Sequence, residues 1–270
     1  MLEIINPIKN ATVINPTPFM SHMSYNSILA ISIYLVLHEV FFNKELGKIK
    51  FFFYGFFAIT MSINMFITGG RAGQVMYFAM LTIIVFQFFN TQKIKSLLLI
   101  SVLIPGIFFT SYMTSDLFQQ RVDAAVQNII SYSDNKSTSV GQRITFALNS
   151  WEVIKENPII GIGTGDFPIE YKKINQLNTP KTPNTTNPHN MYTLIAMELG
   201  VIGLISMMSI FYFQIKLSFN SSSRFIRDVG ITLPLLFLVI MWSDSYLLGH
   251  YTTLMFVFFS SFLYKDFEKS

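Results

Sequence analysis

Three side chains in this 270-residue sequence have both the type and the setting to do chemistry: His189, Arg143 and Arg71. His189 follows Asn187 and Pro188. An asparagine N-cap with proline at the first helical position would set the imidazole in the first turn of a helix. The positive helix end disfavours the imidazolium, and a neutral imidazole is what a general base needs to take a proton from an attacking hydroxyl. The same residues also fit an interfacial histidine bonded to a loop carbonyl, or a phosphate ligand acting with the helix amides. Asn190 and Tyr192, just beyond, could orient the imidazole or the hydroxyl. Arginine offers a planar fork for anions, which Arg71 and Arg143 could use, although Arg71 could equally snorkel to lipid headgroups.

Other chemistries find less support. The absence of cysteine removes disulfides, thiol catalysis and cysteine-ligated metals. No His or carboxylate spacing fits a zinc site, and no Asp-x-Asp pair offers a divalent-metal ligand for a diphosphate, so a cofactor-free, metal-independent reaction is expected. Gly161, Gly163 and Gly165 lack the strand and the cytoplasmic setting of a nucleotide fingerprint; they read as a turn needing positive φ. The Asn-x-Ser/Thr matches at Asn10, Asn135, Asn184 and Asn220 receive no role. Glu198 lies inside an apolar run, where an acid is expensive and is usually paired or functional. Asp244 and His250 sit near one turn and could line the same cavity, while His22, His38 and Glu39 read as boundary residues.

The elements that must position these residues are membrane helices. The chain is 51% hydrophobic and only 13% charged, about half the charge of a soluble domain at roughly 25%. That disfavours a soluble enzyme, a disordered chain and a nucleic-acid binder. Seven apolar runs approach the roughly 20 residues that cross a hydrocarbon core of about 30 Å. They are Ser24 to Phe42, Phe51 to Thr68, Gly73 to Asn90, Ser96 to Met113, Met191 to Phe219, Val229 to Leu248 and Tyr251 to Tyr264. Ser243, Asp244 and Ser245 interrupt the last two, which could form one re-entrant hairpin. Pro105 and Gly106 are expected to kink the fourth.

Lysines and arginines fix the orientation, because short cytoplasmic loops retain positive charge. Lys44, Lys48 and Lys50, then Lys93 and Lys95, then Lys216, Arg224 and Arg227, and finally Lys265 and Lys269 all fall on one side. The net charge of +4 is therefore mostly topology signal. The division expected is an extracytoplasmic segment 1–23, a four-span bundle 24–113, an extracytoplasmic helical loop 114–190, C-terminal spans 191–264 and a cytoplasmic tail 265–270. Residues Met1 to Met23 carry no signal-peptide pattern, so an extracytoplasmic start reads as the C-terminal portion of a longer polytopic protein.

The loop balances seven basic against seven acidic residues. Its first part reads as an amphipathic helix opened by Ser115 or Asp116, carrying Leu117, Phe118, Val122, Ala125, Val126, Ile129 and Ile130. After a polar stretch, a second helix carries Val140, Ile144, Ala147, Leu148, Trp151 and Ile154 on one stripe with Arg143 at its edge, ended by Asn157 and Pro158. Such a stripe can lie on the membrane face. A short helix around Tyr171 and a Pro, Thr and Asn-rich loop from Leu177 to Asn187 follow, and loops this long are often functional.

Taken in order, GGRAG at Gly69 to Gly73, RITFALNSWEVIKENPIIGIGTGDF at Arg143 to Phe167 and NPHNMYTLIAMELGVIGLI at Asn187 to Ile205 resemble the O-antigen ligase family of polytopic bacterial membrane proteins. The resemblance covers roughly Ser24 to Leu263 and is firmest from Arg143 to Leu204. Family members usually have ten or more spans, so this chain is short for the family.

The resemblance implies an all-α membrane enzyme. It would move a glycan from an undecaprenyl pyrophosphate carrier to an acceptor hydroxyl, most simply on a lipopolysaccharide core, in the bacterial inner membrane with its site facing the periplasm. Polymerase and protein O-oligosaccharyltransferase activities are near variants. Within it, Arg71 and Arg143 are implied to hold the pyrophosphate and His189 to serve the acceptor; fixed guanidinium forks can stabilise a leaving diphosphate. The competing class is a channel, transporter or inactive partner subunit. A transporter should show duplicated halves and mid-membrane charge, whereas this sequence gathers its polar residues in one external segment.

Overall fold

In the computed structural model, residues 20–68 and 70–265 are described. Asn10, Gly69 and Lys269, nearly all of segment 1–23 and most of the tail therefore lie outside the described residues. All regular structure among the described residues is helical, as expected, in ten helices. These are α1 His22–Phe42, α2 Lys48–Ile67, α3 Arg71–Phe89, α4 Lys93–Thr114, α5 Asp116–Ile130, α6 Ser139–Glu156, α7 Phe167–Asn178, α8 Met191–Phe219, α9 Arg224–Ile240 and α10 His250–Leu263. Five of them, α1 to α4 and α8, are long and apolar enough to cross a membrane. The expected sixth run, Val229 to Leu248, is corrected. Its helix starts earlier, ends at Ile240 and gives way to turns that reach Gly249. At 17 and 14 residues, α9 and α10 are shorter than the other apolar helices.

The chain forms two compact units divided between Arg121 and Val122. In the first, α1 packs on α2 and α3, burying Ala30, Ile31, Ile33 and Tyr34 from α1 and Met76, Met80 and Ile84 from α3. Polar ties pin the ends of these helices. Tyr34 donates to Gln87 Oε1 at 2.8 Å, and Tyr25 donates to Asn64 Oδ1 at 2.9 Å. Gly73 is required by proximity, since a Cβ there would press on the Asn26 side chain. Helix α4 buries only Ser96 and runs helically through Pro105. The bare Phe52 and Val102 are surface that lipid, not water, would cover.

In the second unit α8 packs on α6 and α9, α7 on α6, and α10 on α9. Val229, Leu233, Leu236 and Phe237 of α9 are fully buried. Helix α8 is not continuous. Gly200 adopts φ 62 and ψ −158, and the helix breaks there. The segment Pro158–Gly163 fills the break with backbone alone. Ile162 and Gly163 donate to the Met197 and Glu198 carbonyls at 3.0 and 2.9 Å, while Val201 and Ile202 donate to the Pro158 and Ile159 carbonyls at 2.9 and 3.3 Å. A Cβ on Gly161 would strike the Glu198 carbonyl, and one on Gly200 would strike that of Ile159. Positive φ at Gly161, Gly163 and Gly165 agrees with a turn. That turn is also half of a clamp on α8.

Candidate functional site

Asn190, and not Asn187, caps α8: its side chain accepts from Thr193 N at 3.0 Å. His189 therefore stands outside the helix, which corrects its expected place in the first turn. Its φ is 52, a left-handed conformation that costs a non-glycine residue about 1–3 kcal/mol. The surroundings hold it there. Asn187 Oδ1 accepts from His189 N at 2.9 Å and from Ser245 Oγ at 2.7 Å, and Thr185 brackets the Asn187 backbone. Asn187 is thus a loop clasp, and a carboxylate, not a helix dipole, acts on the imidazole.

That carboxylate is Asp244, in the turn after α9. Its Oδ1 lies 3.2 Å from His189 Nδ1 and also accepts from Ser245 N at 2.7 Å. Burial pushes the Asp244 carboxyl up. The His189 hydrogen bond and charge, the Ser245 amide and the more distant Arg143 charge outweigh it, leaving the group below the usual carboxylate range. An ionised carboxylate can only accept, so in the neutral imidazole the proton sits on His189 Nδ1 and Nε2 carries the lone pair. Asp244 Oδ2 is buried with no hydrogen-bond partner among the described residues.

Helix α6 supplies the wall. Thr138 caps it by accepting from Gly141 N at 3.0 Å, and Phe146 lies near-parallel to the His189 ring, 23° apart in plane with centroids 6.2 Å apart. Arg143, one turn before Phe146, is exposed. One turn after it, Asn149 donates to Thr179 Oγ1 at 2.7 Å and to Asn175 Oδ1 at 3.2 Å. Asn175 in turn donates to the Thr182 carbonyl and to Asn184 Oδ1, both at 2.9 Å. The Pro, Thr and Asn-rich loop is thereby tied to α6 and α7.

The structure thus brings Arg143 and His189 into one unit with Asp244. Arg71 belongs to the other unit, half-buried as the first residue of α3. Asn190 and Tyr192 spend their polar atoms on structure. Asn190 Nδ2 donates to the Trp242 carbonyl at 3.3 Å, and Tyr192 donates to the Leu238 carbonyl at 2.6 Å while its ring packs on Trp242. Glu198 gives its backbone carbonyl to the Pro158–Gly163 clamp. Among the described residues, no group of three or more His, Asp or Glu side chains is placed to hold a metal. Sequence reasoning put Asp244 near the site without pairing it to His189, because the two are 55 residues apart.

A neutral imidazole so held can deprotonate a hydroxyl at Nε2, on a loop fixed by α8 and the turn after α9, with the exposed Arg143 in the same unit. The model of a family described as O-antigen ligase matches residues 56–208, a stretch that includes Arg71, Arg143 and His189 but stops short of Asp244. An uncharacterized protein of Haemophilus influenzae is 34% identical over 149 residues, a match covering 52% of this chain. That match spans 35% of the relative's own length. With more than half of its length matched by the family model, and the matched order of glycine, arginine and histidine segments folded as a helical membrane protein, this chain belongs to the O-antigen ligase family.

Proposed function

We propose that the chain carries out glycosyl transfer at the outer face of the bacterial inner membrane, moving a glycan from an undecaprenyl pyrophosphate carrier to an acceptor hydroxyl, with lipopolysaccharide core as the acceptor. The observation that carries this reading is the His189–Asp244 pair at 3.2 Å, walled by Phe146. His189 Nε2 takes the acceptor proton as the acceptor oxygen bonds to the anomeric carbon. The bond from that carbon to the phosphate oxygen breaks, and its electron pair leaves on the diphosphate. Asp244 fixes the tautomer and stabilises the imidazolium formed, the role a buried carboxylate plays behind a histidine base. Arg143 and Arg71 are assigned to the diphosphate, whose growing charge bidentate guanidinium groups stabilise. Asn190 and Tyr192 are positioning residues, since they hold the loop that holds His189. The family supports this membrane glycosyltransferase role, and the lysine and arginine clusters support the orientation.

The test uses the protein in lipid with a glycan-loaded undecaprenyl pyrophosphate, with lipid core, free glycan and protein acceptors offered separately. His189→Ala is expected to lower transfer on the order of 10²- to 10⁴-fold while carrier binding survives. Wild-type transfer should fall on acidification as the imidazole protonates, and this acid limb should vanish in the variant. Loss of carrier affinity with an intact chemical step would make His189 a phosphate ligand and overturn the base assignment. Arg71→Lys keeps charge and loses the fork, so it should also transfer poorly; full activity would remove Arg71 from the site. For orientation, a cysteine at Ser139 should react with an impermeant thiol reagent in intact cells, and one at Ser222 should not.

A further inference from the structure

Helix α6 is amphipathic the wrong way round for a helix in water. The face it buries carries Gly141, Thr145, Phe146, Asn149, Ser150 and Val153, three of them polar; Thr145 donates back to the Gly141 carbonyl of its own helix and Asn149 donates to Thr179. The stripe it turns outward carries Leu148 and Trp151, 55% and 57% exposed, flanked by Ile144 and Ile154. A contiguous outward apolar face on a water-solvated helix would forgo the burial that normally drives helix packing.

Apolar side chains are also exposed past the end of the helix. Ile159 and Ile160 are 61% and 71% exposed, and their backbone is bonded to α8 at Val201 and Ile202. Ile160 then joins Ile195, Leu199, Ile202, Gly203 and Met207 of α8 along an apolar groove of about 450 Å³. Since α8 is a membrane-spanning helix by length and hydropathy, exposed apolar side chains lie both along a span and on α6, and the Pro158–Gly163 backbone ties the two together.

We infer that the occupant of this surface is the outer-leaflet lipid, with α6 seated at the boundary between headgroups and acyl chains. A helix of this kind buries its apolar face about 5–10 Å into that boundary, and tryptophan prefers that level. Lys155, at the end of the stripe, pairs with Glu152 at 2.7 Å and has a stem long enough to carry its charge to the headgroups. Non-helical backbone near the bilayer is tolerated only when other protein groups satisfy it, and the Pro158–Gly163 clamp does so. The seat follows from the span and the exposed stripe. Its consequence rests on the function proposed above: Arg143, at the stripe's edge, is held against the surface where a lipid-linked diphosphate presents itself.

The chain contains two tryptophans. Trp242→Phe leaves Trp151 alone, keeping a ring against Tyr192. Reconstituted in vesicles, Trp151 should emit at blue-shifted wavelength, be quenched several-fold more by phosphatidylcholine brominated near the glycerol end of its acyl chains than near their methyl ends, and resist aqueous acrylamide. Acrylamide quenching without bromolipid quenching overturns the seat, and so does protection from both, which would put protein there instead. Leu148→Phe should keep the lipid quenching and Leu148→Asp should weaken it, checking the stripe in a folded background. These readings require no transfer, so a failed glycosylation assay leaves them standing, and a failed quenching result leaves the His189 test intact.

Discussion

Glycines let chain segments approach closely in both units, but what they approach differs. In the first unit the space at Gly73 is taken by the Asn26 side chain. In the second, Gly161 and Gly200 each face a backbone carbonyl of the opposing segment, and four backbone hydrogen bonds hold the two together. The Asn26 side chain can be removed by substitution, whereas a carbonyl cannot leave without surrendering its bond. The first unit is therefore packed around a replaceable neighbour and the second is locked, and the locked half is the one that carries His189 and Asp244.

Four outcomes would break or sharpen this contrast. Gly200→Ala and Gly161→Ala combine left-handed strain with overpacking, about 1–3 kcal/mol each. Either should cost roughly 2–6 kcal/mol by those principles, read as loss of folded protein in a thermal aggregation assay, with no rescue from side-chain trimming nearby. Asp244→Asn should lower transfer on the order of 10²-fold while the folded yield at neutral pH falls modestly. Because the folded carboxyl lies below its ordinary value, the stability it contributes is present above the unfolded pKa and is lost as pH falls through the folded one. Wild-type melting temperature should therefore drop at acid pH, and that part of the drop should be absent in Asp244→Asn. Gly73→Ala should cost about 1–3 kcal/mol, and because the nearest atom is the Asn26 Cβ, Asn26→Gly and not Asn26→Ala in the same chain should recover much of it, measured as a double-mutant cycle. No recovery would show that Gly73 is locked as well. The smallest net effect on stability is expected at His189→Gly, where relief of the left-handed residue, about 1–3 kcal/mol, is offset by the lost partner of buried Asp244, in a chain that no longer transfers.

Much of the fold could be read from the sequence because apolar length is a local property. The runs through α1 to α4 and α8 needed only hydropathy and flanking charge, and Met191 to Phe219 was bounded as the helix is. The break at Gly200 was hidden, since one glycine within a strongly apolar stretch carries no sign that a segment about forty residues earlier will fill the gap. The site shows the same limit. His189 could be read from its type and neighbours. Its left-handed backbone and its partner Asp244 depend on the turn after α9, and local periodicity contains no term for that contact. Asn-Pro usually signals a helix cap, but here the Asn187 side chain goes to His189 N and Ser245 instead.

The clamp between Pro158–Gly163 and α8 also sets an order of assembly. The earlier segment leaves the ribosome first, at about 5–20 residues per second, and has nothing to bond until Met197 to Ile202 emerge. For some seconds its amides and carbonyls must be satisfied by water, so the segment that holds α6 and α7 stands unfinished. Insertion of α8 then acts as the closing event: it supplies the missing backbone partners and, a turn further up, the anchor for His189. Such a protein matures from its later residues backward, and a nascent chain arrested before Ile202 should expose the loop to protease although every residue of α6 and α7 has been made.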